Sequence, residues 1–97
     1  MNKHKLLITK LADQDLNDLY CEGFTTWGEI QADRYYEGLL NRLEHICETP
    51  LMYPAVDDIR EGYRRSVYEK HSIYFVVLSN AVEIRAIVKR QNIASRL

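Results

Sequence analysis

The residues best equipped for chemistry lie in the last third of the chain: Arg60, Arg64, Arg65, Arg85 and Arg90, on or beside segments that alternate like strands. The planar guanidinium fork suits carboxylate or phosphate, so the cluster could grip RNA or an acidic peptide. The simpler reading is a solvated sheet face whose arginines pair with Glu61, Glu69 and Glu83; surface ion pairs are weak evidence for function. His4, His45 and His71 share no ligand spacing with an acid or a cysteine, and they read as two solvated rings and one structural ring. Asp57-Asp58 could hold a cation, but loop solvation or a capped turn needs fewer assumptions. Seven tyrosines and one tryptophan invite base stacking. Yet Tyr20, Tyr35 and Tyr36 fall on helical core stripes, and only Tyr63, Tyr68 and Tyr74 are on strands near the basic residues.

Several enzyme classes leave no trace. The chain has no GxSxG, HExxH, phosphate-binding glycine loop or CxxC pair, and its four glycines (Gly23, Gly28, Gly38, Gly62) are scattered. Nothing in the sequence asks for a metal or an organic cofactor. The missing motifs weaken an enzymatic reading without excluding one.

The elements that must position these residues follow from length and pattern. Ninety-seven residues with 46% hydrophobic and 28% charged side chains make one globular domain, 1–97, with a modest core. The net charge of −1 conceals a split. Residues 1–59 carry five bases and eleven acids, a net −6; residues 60–97 carry eight bases and three acids, a net +5. The basic part would meet anionic partners. No apolar run is long enough to span a membrane and no signal pattern opens the chain, so cytoplasmic residence is expected, with Cys21 and Cys47 as free thiols.

His4–Thr9 reads as a short strand with Leu6 and Ile8 on one face. Thr9 caps a helix to about Glu22, with Ala12, Leu16, Leu19, Tyr20 and Gly23 in one stripe. Thr26 and Glu29 have capping-box spacing for a second helix. Its buried face would hold Ala32, Tyr35, Tyr36, Leu39, Leu40, Leu43, Ile46 and Cys47, and Pro50 ends it. A few residues around Thr25–Gly28 would join the pair as an antiparallel hairpin. Leu51–Arg60 is a loop. From Tyr63 the period becomes two. His71–Leu78 is apolar on both faces after Ser72, as suits a central strand. Ser79-Asn80 turns the chain, and Ala81–Arg90 alternates, with Val82, Ile84, Ala86 and Val88 on one face. Asn92–Leu97 reads as a short tail with a helical turn. The order β-α-α-β-β-β predicts an α+β domain: a helical hairpin packed on an antiparallel sheet.

The ordered segments resemble the ParE-type toxins of the RelE/ParE superfamily of toxin–antitoxin modules over essentially the whole chain. The resemblance is carried by Ala12-x-x-Asp15-Leu16, Trp27-Gly28-x-x-Gln31-Ala32-x-x-Tyr35 and the Leu43–Pro50 helix exit. It continues through Asp58-Ile59-Arg60-x-Gly62-Tyr63-Arg64-Arg65, His71-x-Ile73-Tyr74-Phe75, Val82-Glu83-Ile84 and Arg90-Gln91-Asn92-Ile93 with Leu97. It implies a sheet with the first strand beside the last, no cofactor, and a toxin held in a hetero-oligomer by a cognate ParD-like antitoxin. The usual ParE target is DNA gyrase, whereas RelE relatives cleave mRNA on the ribosome. Cleavage by 2′-OH attack needs a proton acceptor, a proton donor and cations. After Phe75 the chain has no His, Tyr or Trp; Val88 stands where many ParE proteins have His, and Asn92 where Asp is common. The expectation is therefore an inhibitor that binds its target, with Arg60, Arg64, Arg65, Arg85 and Arg90 as target contacts. A RelE-like endonuclease or an inactivated toxin-like protein is the alternative. A flexible, acidic and apolar antitoxin segment would meet Leu11, Phe24 and Ile30 on the helices and Tyr74, Val76 and Leu78 on the central strand.

Overall fold

A computed structural model describes residues 3–90. Strand β1 (Lys5–Ile8) leads into helix α1 (Lys10–Trp27) and helix α2 (Glu29–Glu48); a 3₁₀ turn (Pro50–Met52) and an irregular stretch precede β2 (Arg64–Tyr68), β3 (His71–Val77) and β4 (Ala81–Lys89). The sheet order is β1-β4-β3-β2: the last three strands form an antiparallel meander, and β1 joins β4 in parallel. Among the described residues, no helix is long and apolar enough to cross a membrane. Cys21 is exposed, Cys47 is buried and both are free thiols.

Thr9 caps α1 as expected, its hydroxyl accepting from Ala12 N–H at 3.1 Å. The helix then runs five residues past Glu22, so Thr26 lies inside α1 and no capping box forms. Gly28 alone joins the helices. It closes α1 through its N–H to Phe24 O (3.0 Å) and opens α2 by accepting from Ala32 N–H (3.0 Å), at φ +93°. That backbone region is essentially reserved for glycine.

The hairpin covers one sheet face. Ala12, Leu16, Leu19, Leu39, Leu43, Ile46 and Cys47 pack on Ile73, Phe75, Val82, Ile84 and Ile87, all buried. Tyr35 and Tyr36 are only half-buried at the margin, and Leu40, expected inside, is 37% exposed. Ile8 likewise sits at the margin of the core, 36% exposed.

The opposite face is also covered, so β3 is central in both senses. Here Val56, Tyr63, Tyr74, Ala86 and Val88 form a second cluster under the stretch between the 3₁₀ turn and β2, with Ile59 and Val76 against it. That stretch has no helix or strand of its own but is closely bonded. Val56 N–H donates to Tyr63 O (2.8 Å), Arg65 N–H to Pro54 O (3.1 Å) and the Arg64 guanidinium to Tyr53 O (2.6 Å). Asp57 accepts from Gly62 N–H at 2.8 Å and so caps a turn.

The simple alternation expected of β4 fails at one residue. Phe75 pairs with Ile84 and Tyr74 with Ala86, leaving Arg85 as a bulge. A bulge inserts one residue and reverses inside and outside beyond it. Val82 and Ile84 therefore face the helices with Ile87, while Ala86 and Val88 face the loop. β1 stops at Ile8, so past Ile84 that edge of β4 has no strand beside it. α1 supplies the missing partners: Thr9 N–H donates to Ile84 O (3.1 Å), Thr9 Oγ1 to Arg85 O (3.3 Å), and buried Asp15 accepts from Ile87 N–H (2.9 Å).

Candidate functional site

The structure separates the five arginines into three groups. Arg60, Arg65 and Arg85 lie on the loop-covered side around two phenols. Arg60 and Arg85 sit 5.8 and 5.7 Å from the Tyr63 ring centroid, and Arg65 reaches Tyr74 OH at 3.5 Å. Arg85 also donates to Tyr63 OH (3.4 Å) and to Glu83 (2.7 Å). Burial works against its charge, but the Tyr63 hydroxyl and Glu83 outweigh that and raise its pKa. Arg64 points elsewhere: its bond to Tyr53 O ties β2 to the loop. Arg90 is exposed at the far end of β4, with its N–H on Lys70 O (3.2 Å).

Arg90 lines a groove of about 1050 Å³ at the end of the sheet, together with Trp27, Tyr35, Arg65, Lys70, His71 and Lys89. His71 is 9% exposed, with Nδ1 2.8 Å from Tyr35 OH. The same hydroxyl accepts from Lys70 N–H (3.3 Å) and donates to Tyr68 O (3.2 Å). Burial holds His71 below its ordinary pKa, against an opposing pull from Glu22. Lys89 is paired with Glu22 at 2.6 Å, and Lys70 lies over the Trp27 ring at 5.3 Å. His45, on α2, is exposed, with Nδ1 2.5 Å from Tyr53 OH. Among the described residues no three His, Cys, Asp or Glu side chains converge as metal ligands.

The apolar contacts expected from sequence also divide. Leu11, Phe24, Ile30 and Leu78 are exposed, at 50, 48, 77 and 44%. Tyr74 corrects the expectation: it is fully buried in the second cluster beneath the loop, and Val76 is half-buried beside it, so this strand face is not an open surface. Trp27 (63%) and the Leu51-Met52 pair (69 and 65%) are more exposed than most of the side chains the sequence singled out. Their signal was weak. Trp27 sits at a helix end rather than on a stripe, and Leu51-Met52 lies in a segment without period. The His71–Tyr35 pairing was likewise unreadable, because 36 residues separate the two. The residues from 91 onward, with the expected helical turn, lie outside the described residues.

Comparison with known proteins fits this architecture. Residues 6–94 match the family model for the ParE toxin of the type II toxin–antitoxin system parDE. The chain is 29% identical over 90 residues to Toxin ParE1 of Caulobacter vibrioides, covering 93% of this chain and 94% of that protein. It is 26% identical over 73 residues to Toxin ParE1 of Mycobacterium tuberculosis, covering 75% and 74%. A solved structure titled "Chromosomal ParDE TA system from P. aeruginosa" superposes with a TM-score of 0.79 at 18% identity, covering 90% of this chain and 96% of that one, and so shares the fold. With that fold and a family match across nearly its whole length, the chain belongs to the ParE toxin family of type II toxin–antitoxin systems.

Proposed function

We propose that this toxin inhibits DNA gyrase in the cytoplasm by binding it, without cutting a polymer, and is neutralised by a ParD-like antitoxin. The observation that carries the binding mode is the placement of groups that could move a proton. His71 turns toward the helices and is held by Tyr35. Arg60 and Arg85 instead gather around Tyr63, and Arg65 lies by Tyr74. Those two phenols are 8 and 0% exposed, so they orient guanidinium groups rather than meet a polymer. Oriented arginines grip phosphate or carboxylate without chemistry. Purified toxin should stop gyrase supercoiling and accumulate gyrase–DNA cleavage complexes, and adding the ParD-like protein encoded beside it should restore supercoiling. Unimpaired supercoiling at stoichiometric toxin would refute the target.

A RelE-like cleavage reading has one observation in its favour, the hydrogen bond between Arg85 and Tyr63 OH, a cation beside a phenol. Toxin incubated with translating ribosomes decides it: intact transcripts are expected, and codon-specific fragments would overturn the binding mode.

A further inference from the structure

Resting on the reading of Arg85 as a target contact, we infer that Glu83 is a positioning residue for that contact: its carboxylate holds the bulged guanidinium so that the outer N–H edge faces an anionic group of the target. Of the three acids expected to pair with the sheet arginines, Glu83 does so, 2.7 Å from Arg85 Nε. Among the described residues Glu61 and Glu69 form no ion pair.

By charge alone Glu83 is misplaced, because a carboxylate beside binding arginines weakens their attraction for phosphate or for another carboxylate. Its surroundings give it a different use. Leu7 of β1 and Val76 of β3 flank it across the sheet, and their side chains offer it no donor. Its side chain is 26% exposed against 38% for Arg85, so the acid is the more covered of the two. A bulge re-aims the side chain it carries. Here each part of the bulged residue is fixed. Thr9 Oγ1 donates to the Arg85 carbonyl (3.3 Å), Arg85 Nε donates to Glu83 (2.7 Å), and Arg85 Nη1 donates to Tyr63 OH (3.4 Å).

A guanidinium carries five N–H donors in one plane. Glu83 takes the one on Nε and Tyr63 takes one on Nη1, which leaves the other three at the outer end for an incoming anion. A lysine ammonium is a single point charge and could not be divided in this way. Without Glu83 the arginine keeps its charge but regains its rotamers, and ordering them again on binding weakens the complex.

Glu83→Gln and Glu83→Ala remove the same charge, but only glutamine keeps an oxygen for Arg85 Nε. Half-inhibition of gyrase supercoiling should need about threefold to tenfold more of the alanine variant than of the glutamine variant, the cost of ordering one long side chain. Equal doses, or a weaker glutamine variant, would overturn the inference. A second readout needs no target. In proton–nitrogen NMR of the purified toxin, the heteronuclear NOE of Arg85 Nε–H should fall in the alanine variant and hold in the glutamine variant, while the backbone amides of the other strands keep their shifts. An unchanged NOE in the alanine variant would also overturn the inference. Wild-type toxin that arrests growth on induction but spares gyrase would overturn the gyrase reading alone, and growth arrest by the two variants then supplies the same comparison. Wild-type toxin that does neither would overturn that reading and this inference with it.

Discussion

The two faces of the sheet are built from alternate residues of the same strands, yet they are covered in different ways. Phe75 lies under two helices among Leu39, Leu43 and Ile46; its neighbour Tyr74 lies under an irregular loop among Val56, Tyr63 and Val88. The helix side is large, aliphatic and closed. The loop side is smaller and aromatic, and three arginines rim it. Aliphatic burial and oriented cations are therefore divided between the faces, with β3 shared by both. A sheet covered by a periodic element on one side can leave the other to a loop, where exposed cations are placed with little cost to the core.

The largest effect should come from breaking this division at adjacent residues. Phe75→Ala opens a cavity in the helix-side core and should lose about 3–5 kcal/mol of unfolding free energy, a large share of the stability of a domain of this size. Tyr74→Phe removes only a hydroxyl at the end of a 3.5 Å contact with Arg65. It should cost at most about 0.5–1.5 kcal/mol in urea melts, the worth of one hydrogen bond. Comparable losses from both would show that the loop side is as much a part of the folding core as the helix side.

The next effect sharpens the comparison where the faces exchange residues. Arg85 bulges out of β4, and beyond it Asp15 replaces the absent strand by accepting from Ile87 N–H. Asp15→Ala leaves that buried donor without its acceptor and should cost about 1–3 kcal/mol. Asp15→Asn keeps a side-chain oxygen and should recover much of the loss. Hydrogen exchange at Ile87 gives the local readout: protection should fall in the alanine variant, and wild-type protection would refute the strand-capping role.

Legibility in the sequence followed periodicity. The helices, the meander and the Thr9 cap were readable because burial repeats every 3.6 or 2 residues. The second cluster was half-readable. His71–Leu78 announced an apolar outer face, but Val56 and Ile59, which cover it, sit in a segment without period. The β4 bulge was invisible, since Val82, Ile84, Ala86 and Val88 alternate perfectly as letters and only pairing with β3 reveals the slip. The strand-capping role of Asp15 had no local signal, since its partner Ile87 lies 72 residues away. At the candidate site the arginines were found by charge, but their sorting into Arg60, Arg65 and Arg85 against Arg64 and Arg90 depends on that bulge and on the loop's path. Neither has a local signature.

The smallest effect concerns the polar margin of the helix side. His71 is buried against Tyr35, with Glu22 and Asp15 of α1, Lys89 of β4 and neighbouring Lys70 acting on it. Burial is the leading influence and lowers its pKa from the ordinary 6.5. The unfolded chain then takes up a proton near 6.5 that the folded chain still refuses. Bound protons are more numerous in the unfolded state, so stability falls as pH drops below that value and is constant above it. Comparison with a substituted chain isolates the His71 contribution. His71→Gln keeps a side chain able to bond Tyr35 OH but does not titrate. Urea midpoints measured from about pH 7.5 down to about pH 5.5 should fall more steeply for wild type than for His71→Gln. Parallel slopes would mean that His71 protonates as readily in the fold as in water, and that the groove end of the helix side is open to solvent, much like the rim of the loop side.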